Sequence, residues 1–175
     1  SRRRRRDLQA PHLDKPGENL VDAFLASLPF ALTNAQKRVW REIEEDLGKD
    51  APMHRLVQGD VGSGKTVVAA LSLLRALECG HQAVLMAPTE LLAEQHAKKL
   101  REWFEPLGIS VFELTGRLKA SEKRTVLEAL KSGAARVAVG THALIQEGVA
   151  FDKLGLCVID EQHRFGVEQR LKLKS

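Results

Sequence analysis

Two stretches of this chain carry residue types that could do chemistry together. One is "GDVGSGKT", Gly59 to Thr66; the other is "LCVIDEQHRFG", residues 156–166, where an apolar run ends in adjacent carboxylates, Asp160 and Glu161. The first matches the phosphate-binding pattern G-x-x-x-x-G-K-[ST]. Phosphates need backbone N–H groups pointing inward, and side chains would block them, so Gly62 and Gly64 permit the loop that Gly59, Asp60, Val61 and Ser63 complete. A helix starting near Lys65 would aim the positive end of its dipole at the anion. Lys65 supplies a point charge for the β- and γ-phosphates, and the Thr66 hydroxyl can ligate Mg²⁺. A plain strand-to-helix turn needs neither residue.

Two adjacent acids alone would be a solvated strand end. Beside "GSGKT" they read as the other half of a nucleotide site. Asp160 would hold Mg²⁺, directly or through water. Glu161 would orient and deprotonate the attacking water. The chemistry this implies is hydrolysis of a nucleoside triphosphate.

The surrounding elements must bring these halves together. Thr33 to Leu47 has Val39, Trp40, Ile43 and Leu47 at helical spacing, and Thr33 with Gln36 forms a Thr-x-x-Gln capping box. A short strand is expected at Arg55–Gln58 and a helix from about Lys65 to Glu78. Ala83–Ala87, Ile109–Leu114, Arg136–Val139 and Leu154–Ile159 read as further strands. Thr89–Phe104 and Ser121–Lys131 read as helices between them. Such alternation predicts an α/β fold with a mainly parallel sheet covered on both faces. His96, between Leu92 and Leu100, reads as packing only.

Composition narrows the setting. Hydrophobic residues make up 43% of the 175, an ordinary value for a globular chain. No stretch approaches the ~18 apolar residues of a membrane span. The N-terminal arginines have no apolar segment behind them, so they do not form a signal peptide. The two cysteines, Cys79 and Cys157, lack a Cys-x-x-Cys partner, which argues against zinc and for reduced thiols in the cytoplasm. The net charge of +4 is local: without Arg2–Arg6 the balance is 22 basic against 23 acidic residues. That run is either a solvated face or an arm for phosphates.

Four segments together resemble a known family. "IDEQHRFGVEQR" is similar to motif II of superfamily 2 helicases, "MAPTELLAEQH" to motif Ia, and "TGR" (115–117) and "GTHALIQ" (140–146) to the next two DNA-facing motifs. With "RLVQGDVGSGKT" the combination resembles bacterial branch-migration and fork-reversal helicases from about Pro29 onward. Transcription-repair coupling translocases are similar but usually carry Asp-Glu-Glu-His where Gln162 stands here. A non-unwinding recombinase-type ATP switch is the reading from another class; Gln162-His163 and Thr141-His142 count against it.

The resemblance implies a three-layer RecA-like P-loop lobe. It implies that Gln36 reads the adenine edge, that Gln162 and His163 couple the ATP site to a second lobe and DNA, and that Thr89, Arg117, Thr141 and His142 face the DNA backbone. For Thr89 the plainer reading is turn and cap chemistry. The resemblance also implies branched DNA as partner (forks or Holliday junctions, mostly through other domains), a second RecA-like lobe, no membrane, a monomer, and a bacterial, nucleoid-associated location. The expected organisation is a basic flank at 1–28, following an upstream wedge domain, and a motor lobe at 29–175 that is incomplete at its C-terminus. The strand preceding the family's next motif belongs between the P-loop strand and the Asp160 strand, so a gap in the sheet is expected there.

Overall fold

The computed structural model describes residues 19–47, 56–59, 66–146 and 148–160. Their elements follow in chain order as α1 (Leu20–Ser27), α2 (Asn34–Leu47), β1 (Leu56–Gly59), α3 (Thr66–Glu78), β2 (Gln82–Met86), α4 (Glu90–Phe104), β3 (Val111–Leu114), α5 (Ala120–Ser132), β4 (Val137–Gly140) and β5 (Leu154–Asp160). Short 3-10 turns occupy Glu105–Leu107 and His142–Ile145.

The five strands form one sheet in the order β1-β5-β2-β4-β3. Every pairing is parallel. Parallel neighbours must be joined by crossovers, and α3, α4 and α5 supply them. Strand residues alternate between two apolar layers. Ala83, Leu85, Val137, Val139, Leu156 and Val158 join the core under α1 to α4. Val84, Met86, Ala138, Cys157 and Ile159 face the other side, with Val126 and Leu130 of α5. Burial on both faces explains why β2 and β5 read as continuous apolar runs.

The expected gap beside the Asp160 strand is not present. β1 pairs directly with β5, from Leu56 opposite Cys157 to Gly59 opposite Asp160. Helices cover the faces of the sheet, so strand N–H and C=O groups left apart would lack partners; direct pairing satisfies them.

Part of the expected flank at 1–28 is a helix, α1, packed on the lobe. Phe24 of α1 is fully buried, its ring edge-on to Trp103 at 5.4 Å and to Phe104 at 6.3 Å. The Glu78 carboxylate accepts the Val21 N–H at 2.8 Å, answering one of the unpaired donors at the start of α1. Arg75 stands 2.9 Å from Glu78 in an ion pair too bent for a hydrogen bond, and donates to Glu44 at 2.9 Å. The packed unit therefore reaches back to Leu20.

Candidate nucleotide site

The parallel register assembles the site. Gly59, the last residue of β1 and the first of the phosphate-binding pattern, stands opposite Asp160, the last residue of β5. Thr66, the last residue of that pattern, opens α3 and is half-buried. Asp60 to Lys65 lie between these fixed ends, outside the described residues, as do Glu161, Gln162 and His163. Open parallel sheets bind ligands beyond the carboxyl ends of their strands, and this edge is that one.

Asp160 is 2% exposed. Its Oδ2 lies 2.7 Å from Nε2 of His96, whose side chain is also buried. Its Oδ1 is buried and has no hydrogen-bond partner among the described residues. A buried carboxylate oxygen without a donor is costly unless a cation meets it. Mg²⁺ is commonly held by one or two protein oxygens together with substrate phosphates, and the Thr66 hydroxyl and Asp160 carboxylate are oxygens of that kind. Among the described residues no cluster of three or more His, Cys, Asp or Glu side chains forms a self-contained metal site. The donor set therefore fits Mg²⁺ shared with nucleotide.

His96 is a side chain of the candidate site that sequence reasoning missed. Packing describes it in part, since it lies on the buried face of α4 with Ala93, Ala97, Leu100 and Phe104. It also touches the acid at the heart of the site. Alternation along β5 could have revealed this: Asp160 shares its parity with Leu156 and Val158, which face the layer containing α4.

The remaining candidates gather along the same sheet edge. Thr89 follows β2 and caps α4, its Oγ1 accepting the Leu92 N–H at 3.2 Å. Arg117 lies in the turn after β3 and is hydrogen-bonded to Glu94 of α4. Thr141 and His142 follow β4; the Thr141 Oγ1 accepts the Ala143 N–H at 3.5 Å, and His142 is exposed. Gly140, the last residue of β4, leaves room for β3, because a Cβ there would lie 2.2 Å from the Leu114 carbonyl oxygen. Gln36 lies in the first turn of α2. Its Oε1 accepts the Thr33 N–H at 2.9 Å while its own N–H donates to Thr33 Oγ1 at 3.1 Å, which completes the capping box. Cys157, pushed up to about 12 by burial and 3.8 Å from the Met86 sulfur, is a packing thiol with no nucleophilic role.

A parallel sheet with a phosphate-binding pattern at one strand end and a buried aspartate in register beside it defines a P-loop nucleotide-hydrolase lobe. Comparison with known proteins narrows the class: the DEAD/DEAH box helicase family matches residues 33–175, and the chain belongs to that family. It is 60% identical over 156 residues to the ATP-dependent DNA helicase RecG of Haemophilus influenzae, covering 89% of this chain and 22% of that protein. The RecG of Synechocystis is 58% identical over 158 residues, 90% of this chain and 19% of that protein. A solved structure of RecG bound to a three-way DNA junction superposes with a TM-score of 0.78 at 48% identity, over 94% of this chain and 22% of that one. The chain thus spans about a fifth of the length of these relatives. The helicase resemblance carried by "GTHALIQ" and "IDEQHRFGVEQR" holds, and so does the RecA-like fold.

Proposed function

We propose that this chain is the ATP-binding motor lobe of a DNA helicase, the first of two RecA-like lobes that hydrolyse ATP to drive branch migration and fork reversal in recombination and repair. One observation carries the reading. The phosphate-binding pattern begins directly across the sheet from a buried aspartate, one oxygen of which has no hydrogen-bond partner among the described residues. Similarity to RecG proteins supports the choice of DNA over other helicase substrates.

The roles divide by chemistry. Backbone N–H groups of Gly59 to Lys65 cradle the phosphates, and the Lys65 ammonium neutralises their charge. Thr66 and Asp160 hold Mg²⁺, which when bound offsets negative charge on the phosphate oxygens. Glu161 accepts a proton from the attacking water. Gln36 reads the adenine edge. Gln162 and His163 relay the state of the site to the second lobe, whose arginine completes it. Thr89, Arg117, Thr141 and His142 meet the DNA backbone on the edge where the strands end. Preference for branched DNA belongs to other domains, the residues before the lobe leading back to a wedge domain. Among the described residues no helix is long and apolar enough to cross a membrane. The protein is read as a monomer acting at the bacterial nucleoid.

The test is Lys65→Ala in a full-length protein carrying this lobe. DNA-stimulated phosphate release should vanish while the variant remains folded by circular dichroism. Turnover at the unsubstituted rate would remove the assignment.

A further inference from the structure

His96 and Asp160 come from elements 64 positions apart, and their side chains meet at 2.7 Å in the interior. An ionised Asp160 has only acceptors, so a hydrogen bond here requires a proton on Nε2. The bond occupies Oδ2 alone and leaves Oδ1 without a partner among the described residues. A carboxylate free to rotate about Cβ–Cγ would exchange its two oxygens and spread its orientations. One pinned at a single oxygen presents the other in a fixed direction, because turning breaks the buried bond. With Oδ2 already engaged by His96, Oδ1 is the oxygen best placed to meet a cation alone. Single-oxygen ligation suits the tight octahedral demands of Mg²⁺, whereas larger cations accept bidentate carboxylates.

We propose that His96 is a positioning residue for the metal: its Nε2–H holds Oδ2 of Asp160 so that Oδ1 faces the cation. The proposal rests on the reading of Asp160 as a Mg²⁺ ligand. His96 does not touch metal or nucleotide; it acts through Asp160. Groups that support metal ligands typically contribute ~10–100-fold in metal affinity. The competing explanation is that the pair only satisfies a buried carboxylate, in which case any loss would fall on stability and leave metal affinity unchanged.

The experiment uses a full-length protein carrying this lobe, with Mn²⁺ and ADP as probes. Mn²⁺ affinity of the ADP complex is measured by electron paramagnetic resonance, and metal-free affinity by fluorescence of a labelled ADP in chelator. His96→Leu removes the donor and keeps apolar bulk; His96→Gln places an N–H near the position of Nε2. His96→Leu should weaken Mn²⁺ binding ~10–100-fold and His96→Gln should remain within about threefold of the unsubstituted protein, with metal-free ADP affinity unchanged in both. Unaltered Mn²⁺ affinity in folded His96→Leu overturns the proposal. So does an equal loss in both variants accompanied by weaker metal-free ADP binding, which would mean the site has collapsed. If His96→Leu does not fold, His96→Asn replaces it, since its amide reaches less far: weaker Mn²⁺ binding than in His96→Gln supports the proposal, and equal affinities overturn it. Asp160→Asn separates the two levels. Unaltered Mn²⁺ affinity in that variant removes the underlying reading of Asp160, while a loss there with none in His96→Leu removes only the role of His96.

Discussion

Nε2 of His96 and Oδ2 of Asp160 stand 2.7 Å apart, and this contact ties α4 to the end of β5. It makes Asp160 a fixed element of the sheet edge, buried and half satisfied.

The two acids should therefore fail differently. Asp160→Asn keeps an oxygen for His96 but loses the charge that meets the cation, and Mn²⁺ affinity of the ADP complex should fall by at least ~10-fold, about 1.4 kcal/mol. Glu161→Gln should keep Mg²⁺-nucleotide binding and lose hydrolysis, since its work is on water. Equilibrium binding and single-turnover phosphate release on the same preparations separate the effects. Matching binding defects in both variants would show that the division of labour is wrong.

How far the sequence is legible depends on whether a feature is local. The β2 and β5 runs announce buried parallel strands, and Thr89 after Pro88 announces the start of α4. The capping box of Thr33 and Gln36 forms as its spacing requires. α1 is harder to see, because eight residues make no stable helix alone. Its stability comes from Phe24 packing on Trp103 and Phe104, 79 and 80 positions away. His96 is obscured for a related reason. Helical periodicity says that its face is buried but not which residue of another element lies opposite. The direct β1–β5 pairing joins strands far apart in the chain, which no local pattern reveals.

If α1 is part of the lobe, Phe24→Ala should destabilise it by about 3–5 kcal/mol, the usual loss for emptying a fully buried aromatic site. Asp22→Ala, at an exposed position of the same helix, should shift stability by under ~0.5 kcal/mol. Urea unfolding of both variants checks this. Equal small effects would return residues 20–27 to the flank.

His81 makes stability depend on pH. Burial lowers its pKa below the usual 6.5, the Lys153 charge lowers it further, and a hydrogen bond to the Lys153 backbone offsets part of this. The unfolded chain then binds more protons than the folded one just below 6.5, so stability rises with pH through that window. The contribution is complete above 6.5 and is lost as pH falls through the folded-state value. His81→Gln should flatten the loss of urea stability between about pH 7.5 and about pH 5.5. An unchanged pH profile would assign the loss to other groups.

Arg117 separates stability from DNA contact. Its ion pair with Glu94 is largely exposed, and such pairs contribute only ~0–1 kcal/mol. Arg117→Ala should therefore leave the fold intact. If the guanidinium meets a backbone phosphate, the slope of log affinity against log salt for duplex DNA should become shallower by ~0.9. Fluorescence anisotropy over a salt series, with full-length protein, reads this directly. An unchanged slope would leave Arg117 as a partner of Glu94 and nothing more.

Gln36 has two proposed tasks, and one substitution divides them. Its Oε1 receives the Thr33 N–H, which any side-chain oxygen at that position can do. Reading adenine needs the amide as a whole: an oxygen for the N6 amino group and an N–H for N7, the pairing that Gln makes with adenine elsewhere. A carbonyl oxygen has two lone pairs, so capping and accepting from N6 are compatible. Gln36→Glu keeps the acceptor and removes both N–H donors. It should hold the thermal midpoint of the unsubstituted protein while raising the KM for ATP and leaving that for GTP almost unchanged. Gln36→Ala removes both functions, so it should raise the KM for ATP in the same way and also cost about 1 kcal/mol of stability. Steady-state kinetics with both nucleotides, set beside thermal melts, test the division. Undiminished preference for ATP over GTP in Gln36→Glu would confine Gln36 to its capping box.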